Sequence, residues 1–383
     1  MNVMQPSVQP DFLSQLASDM NLPKITVQVL SASGARSPEA ILSLLQSFPN
    51  LAKNGYVESN VLSNEVVKRA GPALQKILAA TRAGWQPGAS RHSKQGGYGA
   101  APPPGARWQL RDAVPPPGVG LAAPAPVAVP PPGLIDLRGC PPWPVRDQGQ
   151  RGTCVAFSTT ALREQLLCET DGALQDLSEQ FLYWDIKTNS PDPNKTSDGT
   201  WIEFAFDSLS RAGICPEAIW PYNPNPLNGN VAQGPAPAGA VAAAQGFRYS
   251  AALYLRITAG SGNAAKVLNA LQTARRPVAI SLPVFSDPLM LQTNNWETPV
   301  AWQFGYVLDP PRTSIVTDGH CVCVTGFSPD PNEPAGGYFI IRNSWSTRWG
   351  ALLPSGGYAG PEPGYGQVSA TYVDKFLWEF GQL

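Results

Sequence analysis

Three copies of the tetrapeptide PPPG, beginning at Pro102, Pro115 and Pro130, divide this chain in two. Proline lacks a backbone donor and fixes φ at about −65°, so proline runs cannot continue a helix or enter a sheet interior. They favour extended polyproline II. The stretch before them, GASRHSKQGGYG, is polar and glycine-rich. Residues 87–133 therefore read as a semi-rigid spacer between two folding units. A ligand for a proline-reading domain is the other reading of the same composition. His92 lies here among polar neighbours that do not suggest catalysis.

On the N-terminal side, residues 1–86 read as a small all-α domain. Asp11 to Met20 carries Phe12, Leu13 and Leu16 at helical spacing. Ser37-Pro38-Glu39 combines a capping serine with a first-turn proline and an acid. Ile41, Leu42, Leu44, Leu45 and Phe48 then form one apolar face. Further helices are expected over 61–70 and 72–82. No residue set here suggests chemistry, so the expected role is docking a protein partner, self-association or shielding of the domain that follows.

From Leu134 to the C-terminus the sequence is continuously globular. Helices are expected from Cys154 to about Glu169, from Leu177 with a serine cap, over Trp201–Ala212 with Gly213 as the stop, and near 263–274. Strands are expected over 246–252, 278–284, 321–327 and 337–342. The Pro-, Ala- and Gly-rich stretch 221–244 reads as a crossing between lobes. Helices first and strands later imply an α+β protein with two segregated lobes. The net charge of −1 gives no case for nucleic acid or an anionic membrane as partner. No apolar run of about 18 residues occurs, and the first residues lack a signal-peptide pattern, so the expected location is cytoplasmic. In that setting the six cysteines are expected to be reduced thiols. Neither C-x-x-C nor zinc-finger spacing is present, and no metal is expected.

One stretch, PVRDQGQRGTCVAFS from Pro144 to Ser158, places Gln148 six residues before Cys154. A cysteine at a helix N-terminus sits near unpaired N–H groups and the positive dipole end, which favour the thiolate. The glycines let another backbone come close. A buried core cysteine is the alternative. A thiolate nucleophile needs a base and a group that orients the base. Outside the spacer the one histidine is His320, in TDGHCVCVTGF. Asn343 follows in GGYFIIRNSWSTRWG with Trp345 and Trp349. Taken singly, these are equally a satisfied core histidine and a turn with core aromatics.

Taken together and in order, these blocks resemble the papain family of cysteine peptidases, over residues 134–383. LSEQFLYW resembles the helix that follows the nucleophile, and GYGQVSATYV the closing strand. GTWIEFAFDSLSRAGICPEAIWPY is more similar to bacterial members than to plant or lysosomal ones. The resemblance implies a two-lobed papain-like fold, a helical lobe plus a β-barrel lobe. Cys154 is then the nucleophile, His320 the base and later acid, and Asn343 its orienter. Gln148 and the backbone N–H of Cys154 form the oxyanion hole, and Trp345 shields the pair and lines the leaving-group side. The implied function is a cysteine endopeptidase acting on polypeptides without cofactor or metal, regulated or recruited through its N-terminal domain. A silent peptide-binding module and an acyltransferase or amidohydrolase on the same fold are the alternatives. Departures from the pattern are Val155 after the nucleophile, Arg151 where secreted members often carry a disulfide cysteine, and the insertion ALLPSGGYAGPEP after Gly350. Pro283–Phe285 is expected to wall the site of the second residue before the cut.

Overall fold

In a computed structural model of the chain, the described residues are 12–20, 22, 27, 38, 41, 62, 65–66, 68–69, 98–101, 133–138, 145–257, 262–286, 294–297, 301–302, 305–307, 309–310, 314–330, 333, 335–350 and 363–383. Most of the PPPG spacer, His92, the helices expected over 72–82 and nearly all of the insertion after Gly350 lie outside them.

Helix α1 (Phe12–Asp19) buries Leu13 and Leu16, as its spacing predicts. Arg69 reaches back to Asp19 and also pairs with Glu65, so α1 and the 62–69 stretch meet.

Strand β1 (Ile135–Asp136) opens the large unit. Helix α2 (Cys154–Asp171) follows, ended by Gly172 in the left-handed conformation. Every residue from Cys154 to Cys168 is buried, which explains its mixed face: a helix covered all round needs no single apolar stripe. Helix α3 (Glu179–Asn189) starts at Ser178, whose hydroxyl accepts from the Phe181 N–H at 3.0 Å. Helix α4 (Ile202–Arg211) ends before Gly213 at φ +82°. A short helix α5 (Ala240–Ala244) runs into a tight turn over Gln245–Phe247.

That turn corrects one expectation. Residues 246–252 are not a strand; the alanine run carries helical structure as far as Phe247, and pairing begins only at β2 (Leu253–Arg256). Helix α6 (Asn263–Ala274) coincides with its expected range. The remaining elements are β3 (Val278–Ser286), β4 (Tyr306–Val307), β5 (Ile315–Pro329), β6 (Gly337–Arg342), β7 (Tyr365–Ser369), α7 (Ala370–Phe376) and β8 (Glu379–Gln382). Their order in the sheet is β2-β8-β3-β5-β6-β7-β4, with β1 also on β5. All pairs are antiparallel except β4 with β7. The fold is α+β, helices α2–α4 against this sheet.

Two devices lock helices to sheet. The buried Glu379 carboxylate accepts from the Ile202 N–H at the start of α4, at 3.1 Å, and from the hydroxyls of Ser281 and Tyr254. An acid there also meets the positive end of the helix dipole. Gly381 leaves β8 without a side chain where Phe206 and Ile202 of α4 press closest. Among the described cysteines, Cys154, Cys215, Cys321 and Cys323 are free thiols. Cys168 is disulfide-bonded, its partner outside the described residues, so the expectation of reduced thiols fails there. Which side chain faces the end of α2 decides pairing, and composition does not reveal that.

Candidate active site

Cys154 is the first residue of α2, and its Sγ accepts the backbone N–H of Cys321 at 3.3 Å. Helix α2 thus abuts β5, the longest of the described strands. His320 precedes Cys321 on that strand and is fully buried. The strand begins five residues before His320, so the histidine is held mid-strand, opposite Leu282 of β3, rather than at a strand start.

His320 Nε2 lies 2.8 Å from Asn343 Oδ1. That oxygen also accepts the Ser344 N–H at 2.8 Å, which fixes the amide's orientation. With Oδ1 as acceptor, Nε2 carries the proton and Nδ1 the lone pair. Nδ1 makes no hydrogen bond. Trp345 stacks on the imidazole, ring centres 4.5 Å apart and planes 24° apart. Trp296 meets its edge at 5.0 Å. Burial between these rings pushes the His320 pKa down to about 4, partly offset by the Asn343 hydrogen bond. Burial likewise pushes the Cys154 thiol up to about 12 against backbone N–H donors that favour the thiolate.

Gln148 is pinned from every side. Its N–H donates to the Ser344 carbonyl at 2.8 Å, and Ser344 Oγ donates to its Oε1 at 2.5 Å. One Nε2 proton goes to the Arg151 carbonyl at 2.8 Å. Tyr222 OH donates to the Gln148 carbonyl at 2.9 Å. Asp147 and Trp345 form an antiparallel bridge, so the nucleophile loop and the asparagine–tryptophan block are stitched together. Arg151 is also buried. Its guanidinium donates to Gln180 Oε1 at 2.6 Å and to the carbonyls of Asn223 and Val231, and lies over Tyr222 and Tyr183. It ties the nucleophile loop to the 223–231 stretch by hydrogen bonds.

The spacer contributes something its composition does not suggest. Residues 98–101 lie in the cleft. Ala100 pairs with Thr200 in the parallel sense. Thr200 N–H donates to the Gly99 carbonyl at 2.8 Å, Ala101 N–H to the Thr200 carbonyl at 3.1 Å and Ala100 N–H to the Gly319 carbonyl at 3.1 Å. The Gly99 N–H is among the backbone groups turned toward the Cys154 sulfur that favour its thiolate. Glycine makes this approach feasible on both sides. A side chain on Gly152 would meet the Tyr98 carbonyl, and one on Gly319 the Ala100 carbonyl at 2.2 Å. The ring of Tyr98 packs edge-on to His320 and Trp345. Of the expected walls, Phe285 is turned into the core against Tyr372 and Phe376, at a register shift between Val284 and Phe285. Among the described residues, no group of three His, Cys, Asp or Glu side chains gathers where it could hold a metal.

The five residues singled out in the sequence, Gln148, Cys154, His320, Asn343 and Trp345, therefore converge at one place. Residues 132–359, more than half of the chain, match the model of the papain family cysteine proteases. The chain belongs to the papain family of cysteine proteases. It is 28% identical over 212 residues to the cathepsin L-like proteinase of Fasciola hepatica, covering 54% of this chain and 53% of that protein. To digestive cysteine proteinase 1 of Homarus americanus it is 30% identical over 213 residues, covering 54% and 55%. The chain spans about half the length of the curated relatives it matches. In structure it resembles xylellain, a cysteine protease from Xylella fastidiosa, with a TM-score of 0.51 at 22% identity, over 75% of this chain and 96% of that one. This likeness speaks for the papain-like fold.

Proposed function

We propose that the chain is a cysteine endopeptidase held in a latent state by its own residues 98–101. In the open site, His320 Nδ1 takes the proton of Cys154, and the sulfur attacks the carbonyl carbon of a polypeptide substrate. The oxyanion is stabilised by the Gln148 side-chain amide and the Cys154 N–H. The imidazolium, oriented through Nε2 by Asn343, returns the proton to the leaving amine and leaves a thioester. Water, deprotonated by the same nitrogen, attacks the thioester carbon and releases the acid and the thiol.

The observation that carries this reading is the 2.8 Å contact between His320 Nε2 and Asn343 Oδ1. It assigns the tautomer that leaves Nδ1 basic. Support for latency comes from the seat of the segment beside the thiol: the Gly99 carbonyl is engaged by the Thr200 N–H, the Ala100 N–H by the Gly319 carbonyl, and the Gly99 N–H, not its carbonyl, is turned toward the sulfur. The segment therefore blocks the thiol without presenting a bond to cut. The test compares the native chain with Cys154→Ala, using a fluorogenic peptide mixture and a thiol-alkylating epoxide, after opening the cleft by Gly99→Val. Turnover and labelling are expected in the opened chain and neither in the opened Cys154→Ala chain. Equal turnover in both discards the mechanism.

A further inference from the structure

We propose that the pocket filled by Tyr98 is the subsite for the first residue of the leaving fragment, and that it selects tyrosine by ring and by hydroxyl. The inference rests on the peptidase reading above. A general acid must lie within hydrogen-bond reach of the amine it protonates, so the leaving nitrogen sits against His320. The side chain of the residue bearing that nitrogen then projects into the space around the imidazole. Tyr98 occupies such a space. Its ring meets His320 edge-on at 5.9 Å and 87°, and Trp345 at 5.5 Å and 84°. Trp302 stacks on Trp345 at 6.0 Å and extends the aromatic wall. Aromatic rings prefer such edge-to-face geometry.

The far end of the pocket is polar. Asn294 Nδ2 donates to the Tyr98 hydroxyl at 2.7 Å. Burial raises the phenol's pKa, and so does the Glu297 carboxylate that faces it, held by the same Asn294 Nδ2 at 3.0 Å. The Asn294 amide cannot turn over to present an acceptor. Its Oδ1 is held by the N–H groups of Trp296 and Glu297, each at 3.0 Å, and the same Nδ2 donates to Glu297 at 3.0 Å. A fixed amide donor, with a carboxylate beside it, therefore meets one oxygen at the end of an aromatic slot. Phenylalanine fills the slot but leaves both groups without that oxygen, and a site built to bind a hydroxyl discriminates against its absence. Alanine fills neither part.

The test uses the full-length Tyr98→Ala, Gly99→Val chain, which empties the pocket and displaces the segment. Peptides differing only in the first residue after the cut are compared. Tyrosine is expected to exceed phenylalanine by about tenfold in kcat/KM, and alanine by more, as the loss of one buried hydrogen bond implies. Adding Asn294→Leu is expected to equalise tyrosine and phenylalanine. Efficient cleavage with tyrosine and alanine equal overturns the subsite and leaves the peptidase reading standing. No cleavage of any peptide together with no epoxide labelling overturns both. A second measurement uses the otherwise native chain. Tyr98→Phe and Asn294→Leu should each speed epoxide labelling of Cys154 about tenfold, and the double variant should do no more than either. Labelling of Tyr98→Phe at the native rate overturns recognition of the hydroxyl.

Discussion

The backbone N–H of Gly99 is turned toward the sulfur of Cys154 and favours its thiolate, where the proposed reaction needs a carbonyl carbon. A single peptide unit thus separates a blocked site from a substrate complex. The parallel pairing of Ala100 with Thr200 enforces this, because it fixes which groups of the segment look at the thiol.

Gly99 is the point at which the block is most easily undone. A Cβ there would lie 2.0 Å from the Gly152 carbonyl oxygen, a backbone atom that cannot step aside. Gly99→Val is therefore expected to expel residues 98–101 and raise the rate of epoxide labelling of Cys154 at least tenfold. An unchanged rate would show that the segment does not guard the thiol.

In the proposed reaction Asn343 acts through His320 and not on the substrate. In Asn343→Ala, the Nε2 contact is lost and the imidazole is free to adopt the wrong tautomer. In the opened chain kcat/KM should fall about 10²-fold, and His320→Ala should fall further, since positioned acid–base catalysis contributes about 10²–10⁴. A pH profile separates positioning from folding: Asn343→Ala should shift the acidic limb of kcat/KM, whereas a folding defect lowers it uniformly.

Arg151 should be structural and not replaceable by lysine. Its planar fork reaches Gln180, Asn223 and Val231 at once and lies over two tyrosine rings. Arg151→Ala leaves the buried Gln180 amide and two half-buried carbonyls without that donor and is expected to cost about 3 kcal/mol in urea unfolding. An ammonium offers one point charge where a fork is needed, so Arg151→Lys should recover less than half.

How much of this is legible in the sequence depends on whether a residue's role is set locally. Cys154, Gln148, His320 and Asn343 sit in short blocks whose glycines, strand alternation and tryptophans travel with them, so the motif and the role are read together. The exact range of α6 follows from an uninterrupted helical period. Residues 246–252 go wrong because alanine and glycine suit several conformations, and the close approach of Gly213 to Arg248 with the Tyr249 N–H bond to the Leu209 carbonyl decides. Tyr98 and Asn294 are out of reach for a different reason. A glycine-rich stretch has no conformation of its own, and its seat is made by Gly152, Thr200 and Gly319 from three distant parts of the chain. The one signal available was a lone tyrosine between glycines in GGYGA.

Acid should destabilise the folded chain through His320. The imidazole is enclosed by Trp345, Trp296 and Tyr98, with Cys154 and Asn343 as polar neighbours, and its pKa is lowered from 6.5 to about 4. Between those values the unfolded chain binds the proton and the folded chain does not, so stability falls as pH falls through that window. Cys154 adds nothing there, because its thiol is protonated in both states below pH 7. Lowering the pH from 7 to 5 is expected to remove about 2 kcal/mol through this one group. Other groups titrate too, so the measurement is a comparison: urea unfolding of the native chain and of His320→Gln at both pH values. The native chain should lose about 2 kcal/mol more than the variant. Equal losses would mean that the imidazole is not buried in its neutral form, and the enclosure described for the latent site would be wrong.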